Sequence, residues 1–118
     1  MKYSLPKEEV AVLLEFLAES RDHLDGIEEK VLQLEVSKDP ELINSIFRPF
    51  HTIKGSSSFL GLQNISTLSH EVETLLDDMR KGRIKQIDSD IIDILLEAID
   101  LLSKMLEHTS VAVESVDA

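Results

Sequence analysis

Residues 39–61 read Asp39-Pro40-Glu41-Leu42-Ile43-Asn44-Ser45-Ile46-Phe47-Arg48-Pro49-Phe50-His51-Thr52-Ile53-Lys54-Gly55-Ser56-Ser57-Ser58-Phe59-Leu60-Gly61, and the spacing of their apolar side chains predicts a helix. Asp39 can accept a hydrogen bond from the first turn, and Pro40 has no N–H to waste at the first helical position. Ile43, Ile46, Phe50, Ile53, Ser57 and Leu60 then fall three and four residues apart, which places them on one buried face of a helix running to about Leu60. Gly61 suits the left-handed residue on which helices commonly end.

The same pattern continues on both sides. Upstream, Pro6 followed by Lys7-Glu8-Glu9 is a helix start, and Val10, Leu13, Leu17, Leu24, Ile27, Val31 and Leu34 recur at helical spacing with Ser20 filling the gap. This predicts one long helix over roughly 7–35, in which Gly26 costs about 1 kcal/mol relative to Ala without breaking it. Downstream, Asn64 is placed to cap a third helix with Ile65, Leu68, Val72, Leu75 and Met79 inward, Arg80 and Lys81 at its end and Gly82 as its stop. Asp88-Ser89 caps a fourth, with Ile92, Leu95, Ile99, Leu102 and Leu106 inward. No segment shows clear strand alternation. The fold class is therefore all-α, an antiparallel four-helix bundle running up-down-up-down over residues 1–108, with the small, polar, acidic residues 109–118 as a linker or tail.

Composition bounds the function. At 118 residues, 42% hydrophobic and 30% charged, the chain is expected to be one soluble globular domain. It has no Cys, which excludes disulfides and thiolate metal sites. Its net charge of −11 makes nucleic acid and anionic membrane poor partners. No run approaches the ~20 apolar residues that span a bilayer, and Met1 to Pro6 lacks the apolar core of a signal peptide, so a cytoplasmic location is expected.

One segment of the second helix does not read as ordinary core. Gly55 and the three serines Ser56, Ser57 and Ser58 are poor helix formers, and Pro49 lies just upstream. Residues four and seven apart share a face, so Asn44, Arg48, His51, Gly55 and Ser58 form one stripe, flanked by Lys54. His51 is thus offered outward, with no bulky side chain in the next turn and a cation beside it. A large partner surface could approach closely, and Lys54 would offset the charge of a phosphoryl group on the ring. On the wheel alone, a plain surface histidine is an equally good reading. A phosphate-binding loop is not, because Gly55 to Gly61 lacks the Gly-Lys-Ser/Thr ending and no strand precedes it.

The run from Phe47 to Gly61 resembles the phosphorylation motif of histidine phosphotransfer domains. It is particularly similar to the N-terminal domain of chemotaxis histidine kinases of the CheA type. The resemblance reaches from Val10 to Leu106, taking in Glu19 to Leu24, Ser69-His70-Glu71-Val72-Glu73, Leu75 to Gly82, and Asp88 to Asp100. It implies that His51 is the phosphoacceptor, Lys54 its electrostatic neighbour, and Gly55, with Ser58 and Arg48, the face on which partners gain access. It also implies a hydrogen-bond network of His70 and Glu73 around the phosphorylated ring. His70 and Glu73 stand three apart on one helix, hence on one face. A carboxylate on Nδ1–H would fix the tautomer and leave the Nε2 lone pair free as nucleophile. The implied partners are the ATP-binding domain of a histidine kinase and the receiver domain of a response regulator, with no cofactor and no metal. The chain would carry the phosphoryl group for a histidine kinase, since it holds no nucleotide-binding motif and no room for a kinase fold beside four helices.

Two departures stand out. Pro49 inside the helix removes one backbone hydrogen bond and is expected to kink it. CheA-type domains also commonly carry a fifth helix, for which the tail after Thr109 is too short and polar. That tail reads as a linker, which favours an excised kinase domain over a stand-alone relay protein.

Other constellations carry less. Glu8-Glu9, Glu28-Glu29 and Asp77-Asp78 are adjacent acids, which do not face each other on a helix. A di-iron bundle needs two Glu-x-x-His pairs, yet His23, His51, His70 and His108 follow Ser20, Arg48, Thr67 and Met105 at that spacing. Arg80, Lys81, Arg83 and Lys85 read as compensation for a helix end, or as a docking patch. A non-catalytic helical adaptor with an incidental His51 is the alternative function.

Overall fold

Gly26 divides the first amphipathic stretch into two helices. The structure, a computed structural model, describes residues 3–115, beginning with a short strand β1 (Tyr3–Leu5) and followed by α1 (Lys7–Leu24) and α2 (Ile27–Gln33). Between the two helices Asp25 turns extended, and Gly26 takes a left-handed conformation with φ +77°. The single helix expected over 7–35 is corrected here. A left-handed residue strains any side chain with a Cβ, so the break falls at the glycine. The inward stripe keeps its direction across the break: Leu13, Leu17, Ser20 and Leu24 are buried before it, and Ile27, Val31 and Leu34 after it. Phe16 joins them. The pair α1–α2 therefore serves as one arm of the bundle.

The other arms are α3 (Pro40–Phe59), α4 (Gln63–Arg80) and α5 (Ser89–Ala112). Helix α3 starts as its sequence requires, with the Asp39 carboxylate accepting from the Glu41 N–H at 3.0 Å. It runs unbroken across Pro49, whose missing donor would have reached the Ser45 carbonyl. Ile43, Ile46, Phe50, Ile53 and Ser57 are all buried, so packing on this face outweighs one lost backbone bond. Gly61, at φ +75°, reverses the chain, and the Leu62 N–H bonds back to the Ser57 carbonyl at 2.8 Å. The turn is so tight that α4 begins at Gln63, with Leu62 before it and no side-chain cap, and Asn64 already lies inside the helix. Asp88 does cap α5, accepting from the Ile91 N–H at 3.1 Å.

α3 and α4 share the most extensive interface, and α1, α2 and α4 each pack on α5 to close the bundle. Small side chains lie between α3 and α4: Ser57, Ser66 and Ser69 are buried, and the Ser66 hydroxyl donates to the Lys54 carbonyl at 3.4 Å. The four-helix bundle predicted from the stripes is the architecture found, in a body 52 × 20 × 19 Å. The boundary drawn after residue 108 falls inside α5. Thr109 and Ala112 are buried, and the Thr109 hydroxyl donates to the Met105 carbonyl at 2.9 Å, which lets a polar residue face inward. Strand β2 (Val113–Ser115) then pairs in parallel with β1, Tyr3 opposite Val113. Residues 116–118 lie outside the described part. Among the described residues no helix is long and apolar enough to cross a membrane.

Gly26 and Gly55 should respond in opposite senses to alanine. Space is open around both, since a Cβ at either position would meet nothing within 4 Å. Of the two, Gly26 alone has a positive φ. Gly26→Ala should lower stability by roughly 1–2 kcal/mol, whereas Gly55→Ala, within a regular helix, should raise it by about 0.4–1 kcal/mol. Urea midpoints read both, and destabilisation by Gly55→Ala would show that α3 needs a glycine for packing.

Candidate functional site

The polar stripe of α3 faces solvent beside α4. The His51 side chain is 62% exposed and Arg48 is similarly open, tied only to Glu41 at 3.6 Å. Gly55 and Ser58 are exposed one and two turns further on. What distinguishes His51 from an ordinary surface histidine is Glu73, which reaches across from α4. Its Oε2 lies 3.2 Å from His51 Nδ1, and its Oε1 accepts from Lys54 Nζ at 2.8 Å. One carboxylate thus holds an imidazole and an ammonium that stand three residues apart on the facing helix.

Glu73 is itself largely covered, with 13% of its side chain exposed. Burial pushes its carboxyl toward the neutral form, but the hydrogen bonds and charges of Lys54 and His51 outweigh that and hold its pKa below the ordinary carboxylate range. An ionised carboxylate can only accept, so in the neutral imidazole Nδ1 carries the proton and Nε2 has the lone pair, turned away from the carboxylate. The arrangement suits nucleophilic attack by Nε2, because the positive charge that develops on the ring meets the carboxylate through Nδ1–H.

His70 stands beside this set without joining it. Its ring makes no hydrogen bond among the described residues, and its backbone carbonyl accepts from the Thr74 hydroxyl at 3.0 Å. It lines a shallow hollow with Lys54, Gly55, Ser58, Gln63, Ser66 and Thr67. Each oxygen of Glu73 accepts from a partner on α3, and three helical residues separate His70 from Glu73 by about 4.5 Å along the axis of α4.

The contacts that Phe47 and Arg80 make at the site were not foreseen from sequence. The Phe47 ring lies nearly parallel to the His51 ring, 14° between planes and 5.8 Å between centroids. The Arg80 guanidinium sits 4.5 Å above the centre of Phe47. Arg80 is fixed there by an ion pair with Asp77 and by donating to Asn44 Oδ1 at 3.2 Å. The four-residue spacing of Phe47 and His51 was a local signal. Nothing local links Arg80 to either, since it comes from the far end of α4. Two more residues of the basic segment compensate acids nearby, Lys81 on Asp77 and Arg83 on Asp78. Among the described residues no group of three or more His, Asp or Glu side chains could hold a metal ion.

Comparison with known proteins agrees with this fold. The chain is 42% identical over 96 residues to the sensor histidine kinase CheAY of Helicobacter pylori, covering 80% of this chain and 12% of that protein. It is 42% identical over 95 residues to the chemotaxis protein CheA of Bacillus subtilis, covering 78% of this chain and 14% of that one. The chain therefore spans about an eighth of the length of these relatives. The CheA phosphotransferase domain from Thermotoga maritima superposes with a TM-score of 0.77 at 32% identity, covering 84% of this chain and 94% of that domain. The Hpt domain model matches residues 11–109, which takes in all four arms of the bundle and the whole His51 site, and the chain belongs to the Hpt domain family.

Proposed function

We propose that His51 is the phosphoacceptor of this Hpt domain, taking a phosphoryl group from the ATP-binding domain of a CheA-type histidine kinase and passing it to a response-regulator aspartate. The observation that carries this is the exposed imidazole held through Nδ1 by Glu73, which is in turn held by Lys54. The Nε2 lone pair attacks the γ-phosphorus of ATP brought by the kinase domain, the bridging P–O bond breaks, and ADP leaves with the electron pair. The ring becomes cationic and Glu73 offsets that charge. In the second transfer an aspartate oxygen of the receiver attacks phosphorus, and the P–N bond breaks to return the pair to Nε2. Gly55 leaves the space above His51 open for both partners, with Arg48 and Ser58 on the same face. His70 lines the adjoining hollow and supports the phosphorylated ring. The chain brings neither nucleotide nor metal to this chemistry, works in the cytoplasm, and binds no nucleic acid or membrane.

Phosphorylation should be confined to His51. Ser56, Ser57 and Ser58 are close enough in sequence to confuse a mass assignment, but a phosphoramidate is acid-labile and alkali-stable whereas phosphoserine is the reverse. Label that survives His51→Gln, or that resists acid, would remove His51 from this role.

Glu73→Ala should slow phosphorylation by roughly 10²–10⁴-fold while leaving helicity and thermal midpoint nearly unchanged. The carboxyl should titrate with a midpoint below the usual range, followed by ¹³C NMR, and Lys54→Met should move that midpoint upward. The sign for stability follows: because the folded value is depressed, what Glu73 contributes is whole above the unfolded pKa and is lost as pH falls through the folded one. A midpoint that Lys54→Met leaves in place would show that Lys54 does not hold Glu73 ionised.

Gly55→Leu should fold normally, because the space is empty and leucine is the better helix former. It should block both phosphorylation by the kinase and transfer to the receiver, yet leave His51 open to the small reagent phosphoramidate. Kinase-dependent labelling of this variant at the unmodified rate would show that partners approach from another side.

A further inference from the structure

Glu73 alone does not orient the His51 ring. A single hydrogen bond at Nδ1 restrains one atom, and the ring can still swing about that contact because the terminal torsion of histidine is broad. With the side chain 62% exposed, little packing limits the swing. Phe47 supplies a second constraint. It stands one turn before His51 on α3, and its ring lies 14° from parallel at 5.8 Å between centroids, an offset stack within the range aromatic pairs prefer. The plane of the imidazole and one of its atoms are thus both specified.

Phe47 is itself held. It is half-buried against the core, and the Arg80 guanidinium lies 4.5 Å above its ring centre, close enough for a cation–π contact. Arg80 is restrained from both helices, by the Asp77 carboxylate on α4 and by Asn44 Oδ1 at 3.2 Å on α3. An unbroken series of contacts therefore runs from the end of α4 through Arg80 and Phe47 to His51, apart from the one through Glu73.

We propose that Phe47, held by Arg80, is a positioning residue for phosphoryl exchange at His51. Together with Glu73 it fixes the ring plane and so aims Nε2 at the incoming phosphorus. This rests on the reading of His51 as the phosphoacceptor. Arg80 and Phe47 touch neither phosphate nor partner in this role; they act through the imidazole.

The test needs only this chain and phosphoramidate. In that reaction the Nε2 lone pair forms the new P–N bond as the P–N bond of the reagent breaks. The amine leaves with the electron pair, takes a proton from water and departs as ammonia. Phe47→Leu should slow His51 phosphorylation about tenfold, the order of effect that loss of orientation produces. Its His51 ring protons should lose the ring-current displacement that a stacked phenyl imposes. Phe47→Tyr, which keeps the ring, should restore both the rate and the displacement. Arg80→Met, on the surface and without risk to the core, should move the Phe47 and His51 resonances together and slow the reaction about threefold, a partial loss of the same orientation.

Phe47→Leu reacting at the wild-type rate, or Arg80→Met leaving the His51 resonances unmoved, would overturn the proposal. Should Phe47→Leu fail to fold, the Tyr and Met variants decide the matter in the same way. Failure of the wild-type chain to take phosphate on His51 at all would defeat the underlying reading instead, and is told apart because no variant would then be slower than the parent.

Discussion

Two carboxylate oxygens on α4 hold the site together. Glu73 gives one to His51 and the other to Lys54, and each bond crosses from one helix to another. A carboxylate can do this only if the helices approach closely, and here a serine lets them. Ser66 of α4 is buried with its hydroxyl on the Lys54 carbonyl of α3, a contact that a small side chain makes at close approach. Lys54 belongs to both parts of the arrangement: its ammonium meets Glu73, and its carbonyl accepts from the hydroxyls of Ser57 at 3.1 Å and Ser66 at 3.4 Å. The Lys54 backbone is thus tied to a serine of each helix, beside the bond that brings Glu73 to His51.

The balance at Glu73 also explains why the carboxylate stays charged while mostly covered. Burial by itself pushes its carboxyl toward the neutral form, and an unpaired buried charge is far more costly than a paired one. Two donors meeting both oxygens tip the balance the other way. The consequence for the imidazole is chemical. A neutral carboxyl could donate to Nδ1, whereas an ionised one can only accept, and so the proton is placed on Nδ1 and the lone pair on the exposed Nε2.

Much of this was legible in the sequence, and what was not has physical reasons. The stripes of α3 and α5 were read correctly because side chains at helical spacing must bury one face. The break at Gly26 was missed because the stripe resumes at Ile27 with little change of phase, so periodicity contains no trace of the turn. Asn64 was taken as a cap because it is the right residue type, but the tight reversal at Gly61 starts α4 before it. Thr109 looked like tail because its hydroxyl is polar, and only the bond to the Met105 carbonyl shows how it can face inward. For the site, the wheel placed His51 outward without help, yet on that evidence an idle surface histidine fitted as well. Glu73 is 22 residues away, and its link to His51 came from family resemblance. Resemblance also placed His70 in the network; here it lines the adjoining hollow with Lys54 and Gly55. Arg80 was read as a helix-end charge, which it is through Asp77, but its position over Phe47 depends on the relative placement of α3 and α4.

A phosphoryl carrier faces opposing requirements. Its nucleophile must stand clear enough for two large partners to reach the same atom, and it must be oriented before they arrive. Burial would meet the second at the expense of the first. The structure separates the two by fixing His51 from behind and from the side. Glu73 holds Nδ1 and Phe47 stacks against one face of the ring, so neither restraint occupies Nε2, the nitrogen we propose as the nucleophile. Both restraints come from helices and not from loops, and helices hold a side chain more exactly in place. This also explains how Gly55 can be tolerated in the middle of α3. Its neighbours Ile53 and Ser57 are anchored in the core, so the helix survives a residue that favours disorder, and the turn beyond His51 can stay bare.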